Sequence, residues 1–477
     1  MTTHRRFSEL AVGMSLLCVA TLFPSVGRSA NAREDLRTLV RRAAADGRIA
    51  FKLTTPEEFK ALIGPPTRES TEADGQWVLL EYPDIRVRFW GKPAIKVPHT
   101  VTEVSCAGRQ IDIGQDRPIV LRHEGDLDKF GSFWGYSGVD LSRLDLSRKG
   151  ELLKGMPFDS VTVWPPRDLL PPDFDPRKVM EWGKDPGLRV KRLHEQGITG
   201  QGVHVAIIDQ PLLLDHIEYQ DRLAGYTDID TGNADPQMHG AGVASLFVGK
   251  TCGTAPGAIL HFWAEPSWKG DYQYRCRALE QTLQYNRDKK RPEQIRIVSV
   301  SKGFSPREPN LDQWKALLAQ AEQAGVYVIH CRKMGFGAGC RFLKDSSDPA
   351  NYQLCAFYSG GSVYRESGSL FTPIDYRTTA SPEAKDVYAF WTVGGLSWGA
   401  PYIAGVVACG LQVNPDLPVN QIDKLLYDSG WDFQRGKLIN PLGFVDAARS
   451  VPPTPSAGGE DRSRGIYRID SKVRLLL

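Results

Sequence analysis

The stretch "GVHVAIID", residues 202–209, decides the fold. It is apolar at most positions and ends on an acid, which is typical of a strand buried on both faces of a parallel sheet. Helix-like and strand-like segments then alternate: "HGAGVASLFVG" (239–249), "AILHFWA" (258–264), "YRCRALEQTLQYN" (274–286), "IRIVSVS" (295–301), "LDQWKALLAQAEQAG" (311–325) and "VYVIH" (326–330). This alternation predicts an α/β fold, a doubly wound and mostly parallel sheet with helices on both faces.

A smaller α+β region precedes this sheet. "RIAFKL" (48–53) and the stretch at 76–91 are typical of strands, and "TTPEEFKALIG" (54–64) combines a threonine cap, an early proline and a glycine stop, as helices do. Six prolines between 157 and 176 disfavour both helix and central strand. The predicted organisation is an accessory or pro-region at 33–160, a proline-rich linker at 161–182, the main domain at 183–450 and a tail at 451–477.

The first residues have the build of a secretory signal. His4, Arg5 and Arg6 precede an apolar run at 10–23, and an A-x-A site ends at Ala32. We therefore expect a cleavable signal peptide over 1–32 and a secreted or periplasmic protein. No later segment reaches the roughly 18 apolar residues that a membrane span requires, so no integral membrane segment is predicted after the signal is removed.

Charge and cysteine content exclude several classes of protein. A formal net charge of +3 over 477 residues gives no reason to expect a nucleic-acid partner. Of the eight cysteines, Cys18 lies in the signal segment, and the remaining odd number is widely spread, unlike a disulfide scaffold. No C-x-x-C pair is present, so neither a structural zinc site nor another metal is predicted. The oligomeric state and the disulfide pairing stay open.

Three polar residues carry the candidate chemistry. Asp209 ends the "GVHVAIID" strand, His239 begins the next helix, and Ser397 in "GGLSWGAPYIAG" (394–405) stands near a helix start, with Pro401 expected in that helix's first turn. Each alone has an ordinary explanation, as a strand-ending acid, a core histidine or a helix cap. Together they occur in one of the chain orders of the acyl-transfer triad, in which a carboxylate orients the imidazole that activates a serine hydroxyl.

Five segments, in order, resemble a subtilisin-like serine peptidase, or subtilase, domain. They are "GITGQGVHVAIID" (197–209), "HGAGVASLFVGKTCGTAPGAILHFWA" (239–264), "IVSVSKGF" (297–304), "GLSWGAPYIAGVVACGLQVNPDL" (395–417) and "LINPLGFVDAARS" (438–450). The resemblance covers about residues 183–450 and implies hydrolysis of polypeptides without a cofactor. Members of the family often bind calcium, but no acidic loop here is specific enough to place it.

The same resemblance assigns roles to residues. It makes Asp209 the group that orients the base, His239 the general base and then acid, and Ser397 the nucleophile. Ser301, Lys302 and Gly303 would form part of the wall along which a substrate strand pairs through backbone groups. For Lys302 a solvated rim charge is an equally good explanation.

The chain departs from the family at the oxyanion hole. Counting from Gly325 places Met334 where the family has an asparagine donor, and methionine donates nothing. Leu396 replaces the threonine that usually precedes the nucleophile. Arg332 or Lys333 could supply a replacement donor, or "CRK" is simply a basic surface turn; His330 is a further candidate.

Two functions therefore fit the sequence. The first is an exported serine endopeptidase that works through an acyl-enzyme with a weakened oxyanion hole. The alternative is a catalytically impaired subtilase fold that binds peptide or protein. The complete Asp-His-Ser set favours the enzyme, and the lost donors favour the binding module.

Overall fold

The computed structural model describes residues 35–452, except for 73–74, 93–96, 116–117, 131–134, 304, 332–336, 356–368 and 435. The predicted signal peptide and nearly all of the predicted tail lie outside the described residues. So do three residues named for the oxyanion region, Arg332, Lys333 and Met334.

The N-terminal part packs two helices on an antiparallel meander. Its elements are α1 (Leu36–Ala45), α2 (Pro56–Ile63), β1 (Arg68–Glu72), β2 (Trp77–Tyr82), β3 (Ile85–Lys92), β4 (Val97–Cys106) and β5 (Arg109–Gln110), with the strands side by side in chain order. The predicted helix is confirmed as α2: Thr55 caps it in a reciprocal capping box with Glu58, Pro56 opens it and Gly64 ends it.

The strand expected at "RIAFKL" is wrong. Residues 51–53 form a turn in which Lys52 has a positive φ of 56°. The segment closes on itself, because the amide of Leu53 donates to the carbonyl of Ala50 and the amide of Ala50 donates to the Thr54 hydroxyl. Local hydrogen bonding to a threonine thus overrides an alternating apolar pattern.

Short elements connect this part to the main domain. They are β6 (Ile119–Val120), β7 (Val139–Asp140), α3 (Gly150–Lys154), β8 (Phe158–Asp159) and α4 (Pro176–Lys184). The proline-rich stretch packs into the body of the protein: Phe158 and Phe174 are fully buried and lie 6.2 Å apart between ring centroids. The domain limits drawn from the sequence stay predictions.

The main domain contains the remaining elements. They are α5 (Val190–Glu195), β9 (His204–Asp209), β10 (Leu223–Asp228), α6 (Met238–Val248), β11 (Ile259–Ala264), α7 (Gln273–Arg287), β12 (Ile295–Val300), α8 (Leu311–Gln323), β13 (Tyr327–His330), β14 (Gly337–Cys340), β15 (Tyr352–Leu354), β16 (Leu370–Pro373), β17 (Arg377–Ala380), β18 (Tyr388–Trp391), α9 (Leu396–Val413), α10 (Val419–Asp428), β19 (Trp431–Phe433), β20 (Gly436–Leu438) and α11 (Pro441–Ser450).

The predicted doubly wound sheet is confirmed. Its strand order is β10-β11-β9-β12-β13, and every pairing is parallel. Alternate residues of β9 enter two separate cores: Val205 and Ile207 pack with α6, α9 and α11, whereas Ala206 and Ile208 pack with α7 and α8. A strand covered on both faces is expected to be apolar along its length, and "GVHVAIID" is apolar between His204 and the closing Asp209.

Helix α9 runs through the larger of these two cores. Its glycines permit close approach, since a Cβ at Gly405 would lie 2.5 Å from Thr254 and one at Gly410 would lie 2.6 Å from Phe444. By length and composition α9 could cross a membrane, but 78% of it is buried inside the protein. It is a core helix of the α/β domain.

A buried carboxylate ties together three parts of the main domain. Glu218 accepts hydrogen bonds from the amide and hydroxyl of Thr251, from the amide of Cys252 and from the Tyr388 hydroxyl at 2.7 Å. Burial raises the pKa of Glu218, but these hydrogen bonds outweigh it and lower the pKa below its ordinary value of 4.5. Since Thr251 and Cys252 follow α6, the contact anchors that helix to β18.

We expect Tyr388→Phe to lower the free energy of unfolding by about 2 kcal/mol, because it removes a hydrogen bond to a buried charge. The pKa of Glu218 is lower in the folded state, so this contribution is complete above about pH 4.5 and is lost as the pH falls through the folded-state pKa. Urea unfolding at about pH 7 and about pH 3 measures both effects. Tyr427→Phe, which removes a hydroxyl without a hydrogen bond among the described residues, is the control; an equal loss in both variants would contradict the prediction.

Candidate active site

Asp209 and His239 form a close pair at one edge of the sheet. Asp209 is the last residue of β9, and His239 is the second residue of α6. The His239 Nδ1 atom lies 2.5 Å from Asp209 Oδ1, and Asp209 is only 5% exposed. Because a carboxylate can only accept, Nδ1 carries the proton, which leaves Nε2 of the neutral ring as an acceptor.

The two residues set the charge state of the imidazole. Burial lowers the pKa of His239, but the charge of Asp209 and its hydrogen bond outweigh burial and raise the pKa above its ordinary value of 6.5. A second carboxylate, Glu265, raises this pKa further. Its amide donates to the Asp209 carbonyl at 2.7 Å, which places it beside the pair.

Ser397 lies in the first turn of α9. The helix begins at Leu396 with Gly395 as its N-cap, so Ser397 is inside the helix and does not cap it. Its hydroxyl donates to the carbonyl of Ser301 at 3.1 Å, and among the described residues no hydrogen bond joins it to His239. Catalytic hydrogen bonds are often long or misaligned in the absence of substrate, so this geometry does not exclude a triad.

The prediction that Pro401 lies in the first turn of its helix is wrong. Pro401 is the sixth residue of α9 and stands inside the helix, one turn after Ser397. A proline there cannot donate to the carbonyl four residues earlier, which is that of Ser397. That carbonyl instead accepts the Ser301 hydroxyl at 2.8 Å.

The side chain that follows the candidate nucleophile packs against the candidate base. Trp398 is 4% exposed, and its ring centroid lies 5.8 Å from that of His239. Gly242, one turn after His239, makes the space for it, because a Cβ at this glycine would lie 2.8 Å from the indole. Sequence reasoning did not single out Trp398 or its contact with Gly242, because the two residues are far apart in the chain.

The predicted wall residues follow β12 and lie beside Ser397. The three carbonyls are engaged within the protein: that of Ser301 by the Ser397 hydroxyl, that of Lys302 by the Cys331 amide at 3.2 Å, and that of Gly303 by the Tyr272 hydroxyl at 3.2 Å. A carbonyl has two lone pairs, so each retains capacity for one more donor. The wall is therefore anchored to the protein and still able to accept hydrogen bonds from a substrate backbone.

A row of alternating charges supports this wall. Lys302 pairs with Glu308 at 3.0 Å, Glu308 approaches Arg275 at 3.7 Å, and Arg275 binds Glu265 at 2.8 Å. Arg275 and Glu265 are 1% and 2% exposed, so each neutralises a charge that burial would otherwise penalise. Lys302 is thus a paired residue and not a free rim charge. Sequence reasoning missed this pairing, in which Glu308 lies in the same connection between β12 and α8 as Lys302.

A thiol also reaches the site. Cys331 follows β13 and contacts the Ser397 hydroxyl, and burial raises the pKa of the Cys331 thiol to about 12. The thiol is protonated at neutral pH, so it does not compete with Ser397 as a nucleophile. The neighbouring oxyanion candidates Arg332, Lys333 and Met334 lie outside the described residues, and their roles stay predictions.

No cluster suited to a metal ion was found in the part of the chain that the structure describes. What the site does contain is a proton acceptor oriented by a carboxylate, a serine hydroxyl at the start of a helix, and an adjacent strand end with hydrogen-bonding capacity. Backbone N–H groups in the first turn of a helix lack partners within it and favour negative charge. The arrangement provides the parts needed for acyl transfer.

Comparison with known proteins gives two serine proteases as relatives. The chain is 26% identical over 302 residues to the Serine protease AprX of Bacillus subtilis (strain 168), which covers 54% of this chain and 68% of that protein. It is 41% identical over 66 residues to the Extracellular serine proteinase of Thermus sp. (strain Rt41A), covering 13% of this chain and only 16% of that protein. No family model matches the chain.

Among solved structures, one titled "Structural basis of subtilase cytotoxin SubAB assembly" aligns with 55% of this chain and 95% of its own, at 17% identity and a TM-score of 0.43. The parallel sheet, the order of the quoted segments and the two protease relatives agree with one another. The chain contains a subtilase-like domain.

Proposed function

We propose that this protein is an exported serine endopeptidase that cleaves polypeptides through an acyl-enzyme on Ser397. The observation that carries the proposal is the 2.5 Å contact between Asp209 and His239 beside the first turn of α9. In the proposed reaction His239 Nε2 accepts the Ser397 proton, the serine oxygen attacks the scissile carbonyl, and the imidazolium returns the proton to the leaving amine. Water then hydrolyses the ester by the same route in reverse.

Other parts of the chain have supporting roles in this proposal. The wall at Ser301–Gly303 pairs with the substrate backbone, and the predicted signal over 1–32 directs export, in keeping with the extracellular Thermus relative. No cofactor is needed, because the nucleophile, base and orienting carboxylate are all side chains. Met334 cannot donate a hydrogen bond where the family has an asparagine, so this proposal includes a weakened oxyanion hole and a slow enzyme.

We expect a fluorophosphonate to label Ser397 and to block cleavage of casein. Ser397→Ala abolishes both labelling and cleavage, whereas Ser450→Ala, at the exposed end of α11, leaves both unchanged. Peptide mapping by mass spectrometry identifies the labelled residue and separates it from Cys331. A folded protein that is not labelled would favour the peptide-binding alternative.

The pH dependence tests the assigned base. Only neutral His239 accepts a proton, so kcat/KM rises with pH, and because its pKa is raised the midpoint lies above 6.5. Asp209→Asn removes the main cause of that rise, so the midpoint moves down and kcat falls by about 10⁴-fold. His123→Gln, at an exposed position, is the matched control. If the midpoint of the rise in kcat/KM is the same in Asp209→Asn, the rise is due to the titration of a group other than His239.

The oxyanion prediction concerns Met334. Loss of one oxyanion donor costs about a hundredfold to a thousandfold in kcat. If the hole lacks this donor, Met334→Asn raises kcat by about an order of magnitude or more. Steady-state kinetics with a peptide substrate measures it, with Arg332→Ala and Lys333→Ala tested in parallel. An unchanged or reduced kcat means that another group, such as Arg332 or Lys333, already stabilises the oxyanion.

A further inference from the structure

Pro401 leaves one main-chain carbonyl of α9, that of Ser397, without a hydrogen-bond donor inside the helix. In a helix the N–H of each residue donates to the carbonyl four residues earlier, and Pro401 has no N–H to give to the carbonyl of Ser397. This carbonyl belongs to the candidate nucleophile and lies in a largely buried helix. A buried carbonyl without a donor is unfavourable, so another donor has to satisfy it.

Ser301 supplies that donor from the sheet. Its hydroxyl donates to the Ser397 carbonyl at 2.8 Å, and in return its own carbonyl accepts the Ser397 hydroxyl at 3.1 Å. Ser301 is 7% exposed and directly follows β12, a strand with neighbours on both sides. Two hydrogen bonds thus fasten the first turn of α9 to the interior of the sheet.

We propose that Ser301 is a positioning residue, whose hydroxyl holds the main chain of Ser397 in the place from which the serine oxygen reaches His239. The kinetic part of this inference rests on the proposed peptidase function, whereas the structural part does not. Ser301 was expected only as part of the substrate wall. Pairing with a substrate strand would use the backbone groups of Ser301. Its side-chain hydroxyl is not needed for that role and donates a hydrogen bond to the Ser397 carbonyl.

The two roles predict different kinetics. An interaction that only binds substrate changes KM when it is lost, whereas one that aligns the nucleophile changes kcat. Ser301→Ala keeps the backbone of the wall and removes the donor to Ser397. A misplacement of about 1 Å can cost about a hundredfold in rate.

The kinetic experiment compares Ser301→Ala with Ser299→Ala. Ser299 lies in β12, two residues before Ser301, and is 1% exposed; its buried hydroxyl has no hydrogen-bond partner among the described residues. Its removal should therefore leave activity near that of the unaltered chain. For Ser301→Ala we expect kcat and the rate of fluorophosphonate labelling to fall by about tenfold to a hundredfold, with KM changed less than about twofold. Labelling within about twofold of the unaltered chain, or a change confined to KM, would overturn the proposal.

A double-mutant cycle tests the dependence on Pro401. Pro401→Ala introduces an N–H that can bond the Ser397 carbonyl within α9, so the carbonyl no longer depends on Ser301. In this background Ser301→Ala should lower the labelling rate by less than about threefold, because residues that share a partner are not additive. If the two effects simply multiply, Ser301 does not act through the carbonyl that Pro401 leaves open.

A spectroscopic readout requires no catalysis. Serine labelled with ¹³C at the carbonyl and tryptophan labelled with ¹⁵N produce a cross-peak for each Ser-Trp pair, and the sequence contains such pairs at 267–268 and 397–398. In Ser301→Ala the carbonyl signal of Ser397 should move upfield as its hydrogen bond is lost, while that of Ser267 stays in place. An unmoved Ser397 signal overturns the inference. If the unaltered chain is not labelled by the fluorophosphonate, the proposed function fails, and this signal still decides whether Ser301 holds the nucleophile.

Discussion

The close packing of α6 against α9 is the constraint on which the candidate site depends. His239 lies at the start of the first helix and Ser397 at the start of the second, so the distance between the two side chains follows from how the helices meet. Buried small residues line both helices, and the Gly242–Trp398 contact sets the approach at the end nearest the chemistry. A Cβ at Gly242 would lie 2.8 Å from the indole, so Trp398 would have to shift from its place against His239.

The parallel sheet also fixes the positions of α6 and α9 through contacts at the ends of β9 and β12. Asp209 ends β9 and Ser301 directly follows the neighbouring parallel strand β12. The carboxyl ends of parallel strands lie at one edge of a sheet, where ligands bind in open α/β folds. Asp209 accepts a hydrogen bond from the imidazole of His239 in α6, and Ser301 donates one to the Ser397 carbonyl in the first turn of α9. One sheet edge thus orients both helices. The buried pair of Arg275 and Glu265 adds little net stability, since desolvation offsets most of the attraction in a buried ion pair.

Much of this arrangement could be predicted from the sequence, and the reason is local. Mostly apolar runs such as "GVHVAIID" identify buried parallel strands, and the capping residues of α2 mark its ends within a few positions. The parts that could not be predicted depend on contacts between distant segments. The space that Gly242 makes for Trp398 and the Arg275–Glu265 pair behind Glu308 come from distant segments. The turn at 51–53 has a different cause, because the nearby Thr54 hydroxyl competes with a strand that the alternating apolar pattern favours.

Pro401 shows how a local rule fails for an informative reason. Proline inside a helix removes one hydrogen bond and is expected only in the first turn. Here it stands in the second turn, because the carbonyl that it leaves unbonded is satisfied by a serine from the sheet. A hydrogen bond from Ser301, the residue after β12, replaces the one that is lost inside α9. It is made to Ser397, the candidate nucleophile, whose position matters most for catalysis. A rule that treats each helix alone cannot anticipate this exchange, since the compensating donor is 96 residues away in sequence.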